Sequence, residues 1–387
     1  MNSFLPTKKH VSRHTDIEYE KTFAEETSLP PVDWKSIGQS PPVPIAIDER
    51  KSEDPLPRAD IVILTWTSAE WFALDHIFLN SEKIENSDNK DWRKEWNHYT
   101  RDTSGYSADK KSGELWGCFR MVQITDLSGK QWNVLLFKSN SHLAHPPWIK
   151  GLSKMLQCIF EDTKTNRIYT IGTAGGARLD QYLGDSIVTN SAHLKLQRPE
   201  NTSDPDNGET FRCPTWFPSN RLIENVEKSL LYKMNQIVTH DHLNKLLKEL
   251  QDKLKDHPEV NKLELKDLVN DPVKPELLGN PKVRIMKDVP LLTTDYYYVA
   301  KGHNSDEYSF LEMDDAVIAR EANRANVVFA CLRNVSDPVV SDATHDGKPI
   351  SDDVRDEWSA LIYSNFGLLT SYNSALATWA TIAGEGT

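Results

Sequence analysis

The chain has 387 residues and a formal net charge of −12, with 45 Lys and Arg set against 57 Asp and Glu. That acidic balance argues against coating nucleic acid, because neutralising phosphates needs a basic face. A hydrophobic fraction of 38%, 11 tryptophans and no apolar run of membrane-spanning length point to a globular protein with a substantial core and no membrane partner.

Residues 1–57 are polar and dotted with proline ("SLPPVDW", "QSPPVPIAIDERKSEDPLPR"), which reads as an arm rather than an independent core. The start, "MNSFLPTKKHVSRH", lacks the apolar centre of a secretion signal. The four cysteines, Cys118, Cys158, Cys213 and Cys331, include no CxxC pair, so the expected setting is cytoplasmic with reduced thiols.

Regular structure is expected from "ADIVILTW", a β-branched apolar run suited to a strand buried on both faces. "SAEWFALDHIF" follows at helical spacing with Ser68 as N-cap. "KQWNVLLFKSN" predicts a second strand and "WIKGLSKMLQCIFED" an amphipathic helix. "RIYTIGTAGGARLDQYLGDSIVTNSAHL" reads as strand, glycine turn, strand. Strands alternating with helices predict a layered α/β sheet, here one domain over 58–387. Residues 196–286 break the pattern and read as a partly helical insertion. Within it Leu243, Leu246, Leu247, Leu250 and Leu254 form one stripe of a helix, and His240 and His242 in "THDHLNK" mark its polar start rather than a metal site. "VPLLTTDYYYVA", the helix "DDAVIAREANRA", the strand "VVFACLRNVSD" and one or two closing helices complete the chain.

Four segments place polar groups where buried strands end, which is where open α/β sheets collect ligands. They carry Glu70; Thr173, Ala174, Gly175 and Gly176; Tyr296 to Tyr298; and Glu312 to Asp315 with Asp337. "GTAGGA" is neither GxGxxG nor a P-loop, and its glycines alone promise only a turn or a close backbone approach. Asp337, just past an apolar strand, suits either a helix cap or a proton donor aimed into the crevice. In "LEMDDAVIARE" three acids crowd one helix mouth, and such repulsion requires hydrogen-bonding or positive partners.

Taken in order, "IVILTWTSAEWFAL", "IGTAGGARLDQYLGDSIVTNSA", "TTDYYY" and "FLEMDDAVIAREANRANVVFACLRNVSDP" resemble the nucleoside phosphorylase and nucleosidase superfamily. The resemblance is to its methylthioadenosine/S-adenosylhomocysteine nucleosidases and AMP nucleosidases, over about residues 59–195 and 285–380. It implies a three-layer αβα sandwich around a mixed sheet, hydrolysis of a purine (adenine) nucleoside or nucleotide without metal or cofactor, and a homo-oligomer. By motif position, Asp337 would protonate or hydrogen-bond purine N7 with Thr173 nearby. Asp314 would grip the ribose hydroxyls, Glu312 would support that contact, and Met313 would pack under the sugar. Tyr297 would stack on the base, Glu70 would activate water, and Ala174 and Gly175 would line the substrate. Asp315 is then the helix cap.

Two departures stand out: the ribose acid is the shorter Asp314 instead of glutamate, and Trp66 and Thr67 replace small residues after the first strand. The loop "TWTSAEW" supplies a carboxylate and no basic residue, which favours water over phosphate as nucleophile; the alternatives are a phosphorylase or a silent nucleoside-binding module. Lys138, His142, Arg178, Lys301 and Arg320 are the basic candidates for a 5′ phosphate. The arm and the insertion suggest a protein partner and, by analogy, a regulated effector of stress or phage defence that depletes nucleotides.

Overall fold

The computed structural model describes residues 29–79, 92–100, 115–144, 146, 148–213, 218, 220–268, 280–298, 307–339 and 350–385. Thirteen strands among these residues join one mixed sheet. They are β1 (Val43–Ile45), β2 (Ile61–Thr65), β3 (Asn97–Thr100), β4 (Leu115–Thr125), β5 (Gln131–Ser139), β6 (Arg167–Gly176) and β7 (Ser186–Thr189), followed by β8 (Ser191–Lys195), β9 (Thr210–Arg212), β10 (Val283–Ile285), β11 (Leu291–Thr294), β12 (Phe310–Glu312) and β13 (Val328–Asp337). The longer helices are α1 (Ser68–Phe78), α2 (Trp148–Thr163), α3 (Asn220–Ser229), α4 (His240–Lys253), α5 (Asp315–Ala325) and α6 (Asp352–Ala383).

The apolar run of β2 is buried at every position because the strand is central and lies between parallel β5 and β6. Helix α6 packs on β6 and β13 together with α1, while α5 and α2 pack together on the other face, α5 lying over β8 and β13. The result is the αβα sandwich expected from the sequence. The closing segment is a single helix of 32 residues. In the insertion, Leu243, Leu246, Leu247 and Leu250 are buried, and α3 and α4 pack on α6. The described half of the arm lies on the domain: β1 pairs antiparallel with β4, and the Trp34 ring meets Trp379 of α6 edge-on at 4.6 Å.

Two local features differ from the expectation. The N-cap of α1 is Thr67, not Ser68, because Thr67 and Glu70 form a reciprocal capping box. The glycine turn is absent: β6 runs straight through Gly172–Gly176, held by β13 along Arg167–Gly175 and by antiparallel β12 at Gly175 and Gly176.

That continuation creates the crevice. On one edge of β6, parallel β2 pairs as far as Thr170 and β12 takes over at Gly175. Residues 171–174 lie between the two, at the carboxyl ends of β2, β6 and β13, where ligands enter sheets of this class.

Candidate functional site

Glu70 lies on the first turn of α1, and its carboxylate reaches back over the end of β2. Oε2 accepts from Thr65 Oγ1, Trp66 N and Thr67 N, each at 2.9 Å. Oε1 accepts from Thr173 N and Thr173 Oγ1, both at 2.8 Å. Burial works to raise this carboxyl, but the Arg333 charge and the N–H groups of Thr173, Thr67 and Trp66 outweigh it and hold it below the ordinary glutamate value. Glu70 is therefore a fixed anion at neutral pH.

Gly172 makes that geometry possible. A Cβ there would lie 2.5 Å from Glu70 Cδ and 2.7 Å from Arg333 Nη1, so a side chain at this position would displace both charges. Sequence reasoning did not single out Arg333 as a site residue, although its place inside an apolar strand was a signal. Its guanidinium grips Asp315 with two bonds, Nε to Oδ2 at 3.0 Å and Nη2 to Oδ1 at 2.6 Å. It lies 3.5 Å from Glu312 Oε2 and over the Trp66 ring at 4.7 Å. Trp66, one of the two departures, thus forms a wall for the buried cation.

The three acids at the mouth of α5 are each engaged by hydrogen-bonding or positive groups. Glu312 Oε2 accepts from Asp314 N at 2.5 Å and Asp315 N at 2.9 Å. Glu312 Oε1 accepts from Thr293 Oγ1, and Thr293 Oγ1 in turn accepts from Ala316 N at 2.8 Å. Glu312 and Thr293 therefore cap the helix, not Asp315 as the sequence suggested. The capping acid precedes the helix and folds back, and Asp315 is taken by Arg333. Burial, then the charges of Asp315 and Asp314, push Glu312 well above the ordinary range against Arg333. Asp314 stands at the N-cap position without a side-chain cap bond. Its Oδ1 accepts from Leu143 N at 2.8 Å, and its Oδ2 lies 3.2 Å from His142 Nε2. Burial pushes it up to about 8, opposed by the Leu143 N–H and Arg333. Met313, between these acids, is only partly buried.

Asp337 closes β13 opposite Gly175 at a register shift, and a Cβ on Gly175 would sit 3.1 Å from its Oδ2. Three hydroxyls address it: Ser336 Oγ at 2.7 Å, Ser359 Oγ at 2.7 Å and Tyr297 Oη at 3.4 Å. Thr173, expected near Asp337 in support of the purine contact, gives its N–H and its hydroxyl to Glu70. Burial raises the Asp337 carboxyl despite those three donors. Ala174 is buried, and its carbonyl oxygen lies 3.3 Å from Ser336 Oγ, which donates to it. Tyr297 is partly buried and gives its hydroxyl to Ser359 Oγ at 2.6 Å.

Helix α6 thus supplies residues that the sequence did not reveal. Ser359 holds the acid, and one turn later Tyr363 hydrogen-bonds Thr67 and Thr173 within range of the charges of both Glu70 and Asp337. Of the basic candidates among the described residues, only His142 is seen against a crevice acid. Lys138 bonds Asn140, Arg178 pairs with Asp180, Arg320 is tied to Asp204, Asp206, Glu321 and Ser153, and Lys301 lies outside the described residues. The described residues hold no group of three or more His, Cys, Asp or Glu arranged for a metal, and no described helix is long and apolar enough to cross a membrane.

The chain is similar to bacterial nucleosidases of known structure. A Helicobacter pylori methylthioadenosine nucleosidase mutant with 5′-methylthioadenosine in its active site superposes with a TM-score of 0.42 and 10% identity, covering 84% of this chain and 98% of that one. The futalosine hydrolase of the same organism gives 0.43 and 11% over 83% and 96%. A Streptococcus pyogenes S-adenosylhomocysteine nucleosidase gives 0.42 and 11% over 86% and 100%. No family model and no curated protein matches the sequence.

Proposed function

We propose that the chain hydrolyses the N-glycosidic bond of a purine nucleoside or nucleotide, with adenine the expected base, and releases the free base. The observation that carries this reading is the pair of carboxyls beside β6. Glu70, on Thr173, is kept anionic, while Asp337, beside Gly175, is driven towards its protonated form. Cleavage needs both states together. As the C1′–N bond breaks, electrons move to the purine and N7 takes the Asp337 proton. The ribose becomes oxocarbenium-like, and water adds at C1′ as its proton passes to a carboxylate. In this reading Asp314, with Glu312 behind it, accepts the sugar hydroxyls.

Water fits better than phosphate as the nucleophile. The buried cation beside Glu70 is Arg333, and Asp315 already engages it on two nitrogens. One observation favours a second reading, a binding module without turnover: Glu70 already accepts five hydrogen bonds. Catalysis then requires the Thr65 or Thr173 hydroxyl to turn away and admit water. A role in stress or phage defence rests on the arm and insertion alone, by analogy.

The deciding measurement is mass spectrometry of a nucleoside and nucleotide panel with and without phosphate. Free base with free ribose or ribose phosphate, independent of added phosphate, is the expected result. D337N and E70Q are expected to lower the rate by about 10²–10⁴-fold. Strict phosphate dependence selects a phosphorylase, and tight binding without turnover selects the silent module.

A further inference from the structure

Asp314 is held by a loop far from it in sequence, the residues that follow β5. Consecutive residues address its two oxygens: Leu143 N donates to Oδ1 at 2.8 Å, and His142 Nε2 lies 3.2 Å from Oδ2. The tautomer of His142 follows from a third contact. Ala144 N donates to His142 Nδ1 at 3.0 Å, so Nδ1 carries a lone pair and the proton of the neutral ring sits on Nε2, pointing at Asp314. The ring stays neutral because burial, reinforced by Arg333 and Arg198 against Glu70, draws it down to about 4. The loop is itself anchored, since Ser141 O accepts from Trp66 Nε1 at 3.0 Å and from Ser139 Oγ at 2.8 Å.

Asp314 takes the diol in its ionised form, which donors such as Leu143 N, His142 Nε2 and the bound hydroxyls favour over the protonated one. An ionised carboxylate offers about four lone-pair sites. With one taken on each oxygen by the loop, each oxygen keeps one acceptor position. A vicinal diol presents two donors with matching spacing, whereas a 2′-deoxyribose presents one. We propose that His142 is a positioning residue that sets Asp314 as a two-point acceptor for the ribose 2′- and 3′-hydroxyls, and through it the preference for ribo over 2′-deoxyribo substrates. The inference rests on the nucleosidase reading. It also accounts for the shortness of Asp314, whose place is fixed by the loop rather than by side-chain length.

The test compares adenosine and AMP with their 2′-deoxy counterparts on the full-length wild type, H142A and H142Q. The wild type is expected to prefer the ribo forms. H142A should lower the ribo-to-deoxy ratio of kcat/KM about tenfold, the order of one hydrogen bond to a charged group, with the loss confined to ribo substrates. H142Q, which keeps an amide donor near the Nε2 position, should recover most of the ratio. A wild type without ribo preference, an unchanged ratio in H142A, or an equal fall on both sugars would overturn the proposal. If the wild type cleaves nothing, calorimetric binding of the same four compounds replaces kcat/KM. Binding without turnover removes the hydrolase reading and leaves the His142 ratio to decide the inference, while no binding of any of them overturns both.

Discussion

Ser359 Oγ donates to Asp337 Oδ2 at 2.7 Å, and Tyr297 Oη donates to Ser359 Oγ at 2.6 Å. The expected general acid is thus tuned by the closing helix through a two-hydroxyl chain. Donors to a carboxylate favour its charged form, so removing one raises a carboxyl that burial already lifts. A general acid works protonated, and its activity falls as pH rises through its pKa. S359A should therefore move the descending limb of the kcat/KM profile to higher pH, and S359A/Y297F should move it further. Asp356, pushed up to about 7 by burial and then by the Asp352 charge, titrates nearby, so the comparison is best made in a D356N background. A limb that stays still or moves down contradicts the assignment.

Arg333 balances Asp315 and Glu312 in the interior. R333M would leave buried acids without their counter-charge, a loss of about 3–5 kcal/mol. R333M/D315L, which removes both partners of the bidentate pair, should recover much of that loss. Urea unfolding of the single and double variants checks this, and equal stabilities would contradict it.

A Cβ at position 172 would meet two charged side chains at sub-contact distance. G172A should abolish activity and destabilise the fold by about 1–3 kcal/mol through overpacking, while G208A, where φ is +96° but a Cβ meets nothing within 4 Å, should lose stability through backbone strain and still retain activity. Thermal melts with base-release assays separate the two.

Asp314 carries a folded-state value of about 8 against an ordinary 3.8. Between those values the folded protein holds a proton that the unfolded chain has lost, so stability declines as pH rises through that window and levels off above it. Glu312 and Asp337 act in the same direction. D314N should flatten the slope of unfolding free energy between about pH 4 and 8; an unaltered slope would show that Asp314 is ionised throughout.

Much of the sandwich was legible because buried parallel strands and amphipathic helices declare themselves within a few residues, as "IVILT" and the leucines of α4 do. The site was legible only as far as its motifs reached. Glu70, Asp314 and Asp337 lie at the crevice, but their partners come from elsewhere in the chain. Leu143 and Asp314 are 171 residues apart, and Glu70 and Thr173 are 103 apart. No local pattern signals such pairings. The same limit explains the capping error at α5, since two acids at a helix start look alike until a buried arginine claims one. It also explains the glycines, read as a turn because a strand supported by β13 on one edge and β12 at its end leaves no local trace.

Strand β6 works as a ruler. Successive residues in a strand are about 3.3 Å apart, so Thr173 and Gly175, which seat the anion and the acid, are graduated about 7 Å apart on one face. That interval has no intermediate settings. Inserting or deleting a single residue would send one seat to the opposite side of the sheet, separating the two halves of the chemistry across a layer of packed side chains. The arm and the insertion can therefore vary by degrees, whereas between Gly172 and Gly176 only changes that preserve the count keep Thr173 beside Glu70 and Gly175 beside Asp337.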